Sequence, residues 1–494
     1  MPVRIRHGWL VAIAGIYLYL FPYFPRIQSA NELPRVYLVK AIVDDHTFAI
    51  DKQIAQYGAT SDLSRWNDHL YQNKAPGSSL LVVPVYAAVR LVAGDPSLAV
   101  SMWLCRVVAG IIPALIFLWL LWGFLERFTP EPEIRRLTLV AYGLGSMAMT
   151  YALLYYSHQL SAVCLFGAWM LIVDNRRPLV AGLLAGSAIL VDYQTAFALV
   201  PIGIYVIAKQ PRTIPWAIAG AIAPLAMLLE YHHACFGSVL RTGYATAIVY
   251  GSDHAHGLLG MTTPRLAAIW GTMLAPDNGL LVLSPWLLAA IPGGIALWRR
   301  GQRAYVLASA GVCAVFLYFI WSIVFWRGGW EVGPRYITAM LPFVVPLVAV
   351  GLAELRRMPR MLELACGAIV AAVAIYTLAA ATLPYWPDTV NNHPLKNPLY
   401  DVTFRLLGDN AVAPSVGSAC GIPGLLGILP VVLAAFGLTL WSVITAAGRV
   451  AGRRTALYAV VVAVVLLGAL SLVPHGGVDA DHAYTHTLYP AVAR

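Results

Sequence analysis

The chain has 494 residues, of which 60% are hydrophobic and only 11% are charged. Charged residues make up about 25% of soluble domains, so the composition excludes an ordinary soluble protein and predicts a polytopic membrane protein. The formal net charge of +10 does not indicate nucleic-acid binding, because the basic residues form short clusters between apolar runs, as topology signals do. The six cysteines are scattered without CxxC spacing and are interpreted as core residues.

Thirteen apolar segments are long enough to be membrane spans, which need about 20 apolar residues. The sequence therefore predicts an all-α fold with about thirteen transmembrane helices. The first run has a basic start, as a signal peptide does, but we predict that it is retained as a span because Arg26 and a bulky aromatic stretch precede its small-residue end. The predicted spans are 8–25, 101–124, 136–155, 159–173, 178–191, 195–208, 213–230, 279–298, 304–325, 336–353, 361–383, 424–446 and 455–473.

A further apolar run at 78–94 decides the topology, because counting it as a span moves every later loop to the other side. If this run lies along the outer interface, 18 of the 33 Lys and Arg residues fall in short loops on one face. The positive-inside rule assigns that face to the cytoplasm. The long loops are then extracytoplasmic, namely 26–100, 231–278, 326–335, 384–423 and the tail from 474.

Three regions follow from this arrangement. Residues 1–383 are predicted to form a transmembrane catalytic core with a large extracytoplasmic first loop at 26–100. Residues 384–423 are predicted to form an outer cap, and residues 424–494 a pair of spans with an outer tail.

The first outer loop contains the motif NELPR. Asn31 is a suitable helix N-cap and Pro34 is tolerated only in a first turn, so a helix is predicted to begin here. Glu32 and Arg35 then share a face, their spacing allows an ion pair, and the helix N-terminus favours the ionised carboxylate that a general base needs. The alternative is a surface ion pair beside the membrane.

Two more outer segments contain candidate binding residues. Lys74, in NKAPG at the start of an apolar run, is placed to meet a lipid phosphate, or else to reach the interface as an anchor. The loop GGWEVGPRY has glycine and proline positions typical of a shaped pocket rim, with an aromatic membrane belt as the alternative. Its candidate residues are Trp330, Glu331, Arg335 and Tyr336.

Two ionisable residues lie at the outer ends of predicted spans, where a charge is costly unless it faces a polar cavity. They are His158 and Asp192, and we predict that both contribute to the site. Four histidines share another outer loop and could in principle bind a divalent metal. No metal site is predicted, because their spacing is not that of a known ligand set. They are His232, His233, His254 and His256.

Taken in order, these motifs resemble the GT-C class of membrane glycosyltransferases, especially its bacterial family-39-like members. That group is similar to protein O-mannosyltransferases and to the aminoarabinose transferase that modifies lipid A. The resemblance covers the whole chain in layout and is strongest over 8–200 and 279–345. It rests on NELPR (31–35), YQNKAPG (71–77) and GGWEVGPRY (328–336) before an LPF helix.

The resemblance implies a GT-C-like fold and an inverting sugar transfer from a polyprenyl-phosphate carrier. Glu32, three positions before Arg35, matches the acidic residue that acts as the base, and Lys74 matches the lysine that contacts the carrier phosphate. Tyr71 belongs to the same lysine motif. One departure is the sequence SHQ at 157–159, where many relatives have a second acidic residue. A two-carboxylate or metal-dependent mechanism is therefore not implied.

The expected protein is a multi-pass enzyme of the bacterial cytoplasmic (inner) membrane with its site on the extracytoplasmic face. Its partners would be a polyprenyl-phosphate sugar donor, membrane lipid and a lipid-, glycan- or protein-linked acceptor. Glu32 would accept the acceptor's proton while Lys74 and Arg335 stabilise the departing phosphate. Two alternatives stay open, a transporter or flippase for a lipid-linked glycan and an O-antigen-type polymerase or ligase.

The topology is tested by reporter fusions. A fusion at Glu131 should report a cytoplasmic position, because it lies in a loop flanked by Arg127, Arg135 and Arg136. A fusion within 384–423 should report an external one. An external signal from Glu131 would contradict the predicted arrangement.

Overall fold

The computed structural model describes residues 7–22, 30–249, 251–254, 257, 260–387, 395–448, 450–477 and 479. Within these ranges the fold is helical apart from one two-stranded antiparallel sheet, β1 (Leu63–Trp66) with β2 (His69–Gln72). Apolar side chains cover much of the outer surface. On one helix, for example, Val200, Ile204 and Ile207 recur on one exposed face, as expected for a helix that faces lipid. An all-α polytopic membrane protein is confirmed.

The N-terminal half contains the long segment between α1 and α5, with its short helices and the two-stranded sheet, and the helices packed around it. A π-helical segment at Val107–Ile111 joins two of these helices into one long span. The helices are α1 (Gly8–Leu20), α2 (Leu33–Asp44), α3 (Asp51–Tyr57), α4 (Gly77–Ala93), α5 (Leu98–Arg106), α6 (Ile112–Leu125), α7 (Pro132–Leu144), α8 (Met147–Leu153), α9 (Ser157–Val173), α10 (Pro178–Val191), α11 (Thr195–Lys209) and α12 (Ile214–Phe236).

The C-terminal half contains the longest single helices. Short 3-10 segments precede several of them, including Arg335–Met340 at the end of the GGWEVGPRY loop. The helices are α13 (Gly251–His254), α14 (Leu266–Met273), α15 (Leu280–Leu283), α16 (Ala290–Arg299), α17 (Arg303–Ser322), α18 (Leu341–Leu355), α19 (Pro359–Thr382), α20 (Arg405–Gly408), α21 (Val416–Ala419), α22 (Gly424–Ala447) and α23 (Gly452–Leu470).

Seven helical segments in the described ranges are long and apolar enough to cross a membrane, or up to eight if one bent pair counts as a span. The predicted number of thirteen is not confirmed. The run at 78–94 forms the 17-residue helix α4, and its predicted position along the interface stays a prediction. So does the division at 383 and 423, part of which (388–394) lies outside the described residues.

Two predicted spans are interrupted. The segment 136–155 breaks into α7 and α8 because the Ser146 hydroxyl accepts a hydrogen bond from the Ala148 N–H (3.1 Å) and starts a new helix. The segment 279–298 breaks where Pro285 begins a 3-10 turn between α15 and α16. Apolar composition predicted the hydrophobic length in both cases but not the turn within it.

The start of α4 lies very close to the end of α10. Gly77 begins α4 against the last turn of α10, where an added Cβ would lie 2.6 Å from the backbone carbonyl of Leu190. No side chain fits at that distance without moving backbone. This contact holds the start of α4 beside Asp192, which follows α10 directly.

Replacing Gly77 tests the contact. Gly77→Ala should lower the free energy of unfolding by about 1–3 kcal/mol, the typical result of overpacking, measured as a lower melting temperature in detergent. The matched control is Gly203→Ala in α11, which has open space around its Cα and should be neutral or slightly stabilising. Equal melting temperatures for both variants would contradict the close approach.

Candidate functional site

A buried ion pair joins the start of α2 to the end of α5. Glu32, just before α2, and Arg106, at the end of α5, are both inaccessible to solvent. Arg106 donates from Nε to Glu32 Oε1 (2.8 Å) and from Nη2 to Oε2 (2.9 Å). The Tyr155 backbone N–H donates to the same Oε1 (2.7 Å). The carboxylate is therefore held by a bidentate guanidinium and a backbone amide.

This geometry changes two expectations about the start of α2. The helix begins at Leu33 after Glu32 and has no side-chain cap, so Asn31 is not the N-cap. The pair between Glu32 and Arg35 is replaced by the one with Arg106. Arg35 instead donates from Nη1 to the Asn31 backbone and side-chain oxygens and from Nη2 to Ser157 Oγ (3.2 Å).

A cavity with both polar and apolar lining residues lies next to the buried ion pair, since Asn31, the residue before Glu32, is part of its lining. It encloses about 840 Å³, counting open solvent at its mouth. An aromatic and aliphatic wall comes from α11 and from the end of α17. The polar lining consists of Asn31, Arg35, Lys74, Ser157, His158, Asp192, Tyr193, Gln194, Tyr244, Arg335 and Tyr336, and the apolar wall of Phe197, Phe319, Ile323, Val324 and Phe325.

Three cations converge on this cavity from distant parts of the chain. Arg35 comes from α2, Lys74 from the turn before α4 and Arg335 from the loop before α18. Within the described chain, Nε of Arg35 and Nε of Arg335 are buried without a hydrogen-bond partner. Three buried positive charges repel one another, so an anion bound among them would lower their electrostatic free energy.

The charged and aromatic surroundings of Lys74 act directly on its ammonium group. Its Nζ lies 3.3 Å from Asp62 and 5.1 Å from the centre of the Tyr244 ring. Burial lowers the pKa of Lys74; the Asp62 carboxylate raises it in part, while the charges of Arg335 and Arg35 lower it further. A bound anion would favour the charged form of this lysine.

Glu331 lies behind Arg335 and outside the cavity. It accepts a hydrogen bond from Asn278 Nδ2 (2.5 Å), and one of its oxygens lies 3.8 Å from Arg335 Nε. Burial raises the pKa of Glu331 to about 8. A raised pKa weakens the negative charge of this carboxyl, so Glu331 compensates the Arg335 charge less than an ordinary glutamate at that distance would.

A histidine and an aspartate of the cavity lining face each other. His158, in the first turn of α9, lies with Nδ1 2.9 Å from Asp192 Oδ2. The Gln194 side chain donates to the same oxygen (3.1 Å). The His158 ring is in edge-to-face contact with Tyr151 and Tyr336, at centroid distances of 5.5 and 5.8 Å.

The structure brings together six of the ten residues singled out from sequence. Arg35, Lys74, His158, Asp192, Arg335 and Tyr336 line the one cavity. Four do not line it. Glu32 is buried beneath it, Glu331 lies behind Arg335, Tyr71 packs against Phe236 (5.6 Å) and Trp330 packs against Tyr385 (5.7 Å).

Sequence reasoning missed several residues of the site. Ser157 and Tyr193 are direct neighbours of predicted residues, but nothing in their local sequence sets them apart. Arg106 had a clear signal, because a charge within an apolar span marks a functional or paired position by default. Its partner, 74 residues away, has no local signature.

The histidine loop offers little for a metal. His232 uses both ring nitrogens within the protein, at 2.9 Å from the Tyr193 hydroxyl and 3.1 Å from the Val239 carbonyl. His256 lies outside the described residues. The described ranges contain no cluster of three or more potential metal ligands from His, Cys, Asp and Glu.

The buried ion pair leads to a stability prediction. Glu32→Gln or Arg106→Gln should each lower the free energy of unfolding by about 3–5 kcal/mol, because each removes one of the two charges of a fully buried, bidentate ion pair. The double variant Glu32→Leu/Arg106→Met should recover most of that loss. The control Arg127→Gln removes one member of a half-exposed pair with Asp174 and should change stability by about 1 kcal/mol or less.

Thermal unfolding in detergent reports these changes. If Glu32→Gln leaves the melting temperature unchanged yet abolishes sugar transfer, the carboxylate is not structural. It would then be the base predicted from the sequence.

Comparisons with known proteins give two similar structures. No protein-family model matches the chain, and no curated protein matches it in sequence. The crystal structure of ArnT from Cupriavidus metallidurans bound to undecaprenyl phosphate is similar with a TM-score of 0.49 and 14% identity, covering 96% of this chain and 78% of that one. The apo structure of the same protein has a TM-score of 0.49 and 15% identity, covering 94% and 78%.

Proposed function

We propose that this protein is an inverting glycosyltransferase that moves a sugar from a polyprenyl-phosphate donor to an acceptor hydroxyl. The observation that carries the proposal is the convergence of Arg35, Lys74 and Arg335 on one cavity with an apolar wall. Such a cavity suits an amphiphile with an anionic headgroup and a hydrocarbon tail.

The cationic side fits a phosphate. Arginine and lysine are the residues that bind phosphate oxygens, the first through its planar fork and the second as a point charge. Asp192 is the acidic residue that lines the cavity, while Asp62 lies behind Lys74 and Glu331, with its raised pKa, behind Arg335. A phosphate would supply the negative charge that the cavity lacks.

The apolar wall fits the lipid. The cavity that holds the three cations is also lined by apolar side chains, namely Phe197, Phe319, Ile323, Val324 and Phe325, and the rings of Phe197 and Phe319 pack together with centroids 5.4 Å apart. Burying a prenyl chain against them is favourable by about 25 cal/mol per Å² of apolar area. The apolar lining would therefore hold the prenyl chain while the cations hold the phosphate.

The same cations have a role in the reaction. When the bond between the anomeric carbon and the phosphate oxygen breaks, negative charge grows on the leaving phosphate. Donors already aimed at that position stabilise the transition state more than the ground state. Lys74 and Arg335 are proposed to do this, and Arg35 to hold the headgroup through its position beside Ser157.

A lipid-linked donor also suits the predicted location. The cavity lies between segments that the charge pattern places outside the cytoplasm, where nucleotide sugars are absent and a donor must arrive through the membrane. The proposed setting is a bacterial cytoplasmic (inner) membrane, with the site on its extracytoplasmic face and a glycan, glycolipid or protein of the cell envelope as acceptor.

The role of Glu32 is revised in this proposal. Its oxygens accept hydrogen bonds from Arg106 and from the Tyr155 amide. Both oxygens are therefore engaged by protein donors, and Glu32 is not among the residues that line the cavity. We propose that Glu32 positions α2 and α9 and does not touch the substrate.

The phosphate site is tested with undecaprenyl phosphate, the lipid in the ArnT crystal structure, and with a panel of synthetic undecaprenyl-phosphate hexoses and pentoses. Lys74→Ala and Arg335→Ala should each slow release of undecaprenyl phosphate from the accepted donor by about 100-fold or more. The control Lys52→Ala removes an exposed lysine of the same loop and should leave the rate unchanged.

Native mass spectrometry of the wild type in detergent supplies the binding measurement. Undecaprenyl phosphate should bind more tightly than undecaprenol, which has the same chain without the phosphate. Equal binding would contradict the phosphate site. Tight binding with no turnover of any donor would favour the transporter alternative.

A further inference from the structure

The pair of His158 and Asp192 has a geometry that phosphate binding does not require. An ionised carboxylate only accepts hydrogen bonds, so the 2.9 Å contact between Asp192 Oδ2 and His158 Nδ1 places the imidazole hydrogen on Nδ1. In the neutral ring the lone pair is then on Nε2. A ring in this state is a proton acceptor and not an anion-binding donor.

The second ring nitrogen of His158, Nε2, has no hydrogen-bond partner among the described residues. This nitrogen is also buried. Leaving a buried polar atom unsatisfied costs free energy because its hydrogen bond to water is lost without replacement, so proteins rarely keep such an atom where a partner is within reach. His158 lines the cavity, and a substrate hydroxyl bound there would satisfy this nitrogen.

The surroundings hold the ring in one orientation. Gln194 donates to Asp192 (3.1 Å), and the rings of Tyr151 and Tyr336 pack edge-to-face against the imidazole. A base with a fixed ring and a fixed tautomer needs little reorganisation when the proton moves.

The histidine is also beside the phosphate site. Ser157, the preceding residue, accepts a hydrogen bond from Arg35 (3.2 Å), and Arg335 neighbours Tyr336, which contacts the imidazole ring. An acceptor hydroxyl at Nε2 and a donor phosphate on the cations would therefore share one cavity, as a direct displacement requires.

We propose that His158 Nε2 is the general base of the transfer and that Asp192 is its positioning residue. This inference rests on the proposed function. The acceptor oxygen forms a bond to the anomeric carbon as its proton moves to Nε2, and the carbon–phosphate-oxygen bond breaks with its electron pair going to the leaving undecaprenyl phosphate. The imidazolium then releases the proton to solvent, and a single displacement inverts the anomeric centre.

Azide separates proton transfer from the rest of the reaction. Azide is a nucleophile without a proton to lose, so it needs no base, whereas water and glycerol do. In the full-length protein with the accepted undecaprenyl-phosphate sugar, His158→Gln should slow transfer to water and glycerol by about 10²–10⁴-fold. Formation of the glycosyl azide should stay close to the wild-type rate.

The positioning residue should show the same pattern more weakly. Asp192→Asn should also slow transfer to hydroxyl acceptors while keeping the azide reaction, because the amide no longer holds the imidazole in the correct tautomer. The matched control is His69→Gln, which removes the histidine of an exposed His–Asp pair (3.0 Å to Asp51) and should leave both reactions unchanged.

The outcomes separate this inference from the proposed function. Lys74→Ala should lose both reactions, because it acts on the leaving phosphate; if it loses neither, the proposed function fails. If His158→Gln keeps its rate with hydroxyl acceptors, or loses the azide reaction as well while still binding undecaprenyl phosphate, His158 is not the base. The proposed function would stand in both of those cases.

Discussion

The buried ion pair between Glu32 and Arg106 is the constraint on which the site depends. In a region without water, a charge can be kept only if its partner is held close, so the start of α2 is fixed to the end of α5. The Tyr155 backbone amide, which also donates to Glu32, lies at the break between α8 and α9, so the same carboxylate contacts this break as well. The two helices are bent by 115° relative to each other. Arg35 belongs to α2 and His158 to α9. The contacts of Glu32 with Arg106 and with the Tyr155 amide therefore fix the position of these two side chains relative to each other.

The cavity itself is organised by an imbalance of charge. Arg35, Lys74 and Arg335 come from separate segments, and each has only part of its charge compensated by protein groups. Burial lowers the pKa of Lys74, and the nearby charges of Arg335 and Arg35 lower it further. The same arrangement favours an anionic ligand, because the repulsion among the cations is relieved when the ligand binds.

The sequence predicted the fold class and much of the cavity for identifiable reasons. Long apolar segments allow few structures other than membrane helices, and His158 and Asp192 were noticed because ionisable groups at span ends are costly. The turn at Ser146 and the 3-10 segment at Pro285 were missed, since hydrophobicity does not record a short turn within an apolar run. Glu32 was assigned by its spacing to Arg35, and its true partner is distant in sequence. Only the folded chain shows such a pairing.

The π-helical segment at Val107–Ile111 has a consequence for how this span tolerates change. A hydrogen bond in a π-helix spans one more residue than one in an α-helix. The helix after the segment is therefore rotated about its axis relative to where a continuous α-helix would place it. Arg106, just before the segment, faces Glu32, while Gly110, within the segment, lies so close to Ala152 that an added Cβ would be 2.3 Å from that residue's carbonyl oxygen. Deleting a single residue here would restore a regular helix and rotate one half by about 100° against the other. The span would remain equally long and apolar, yet the ion pair and the glycine contact would no longer form together.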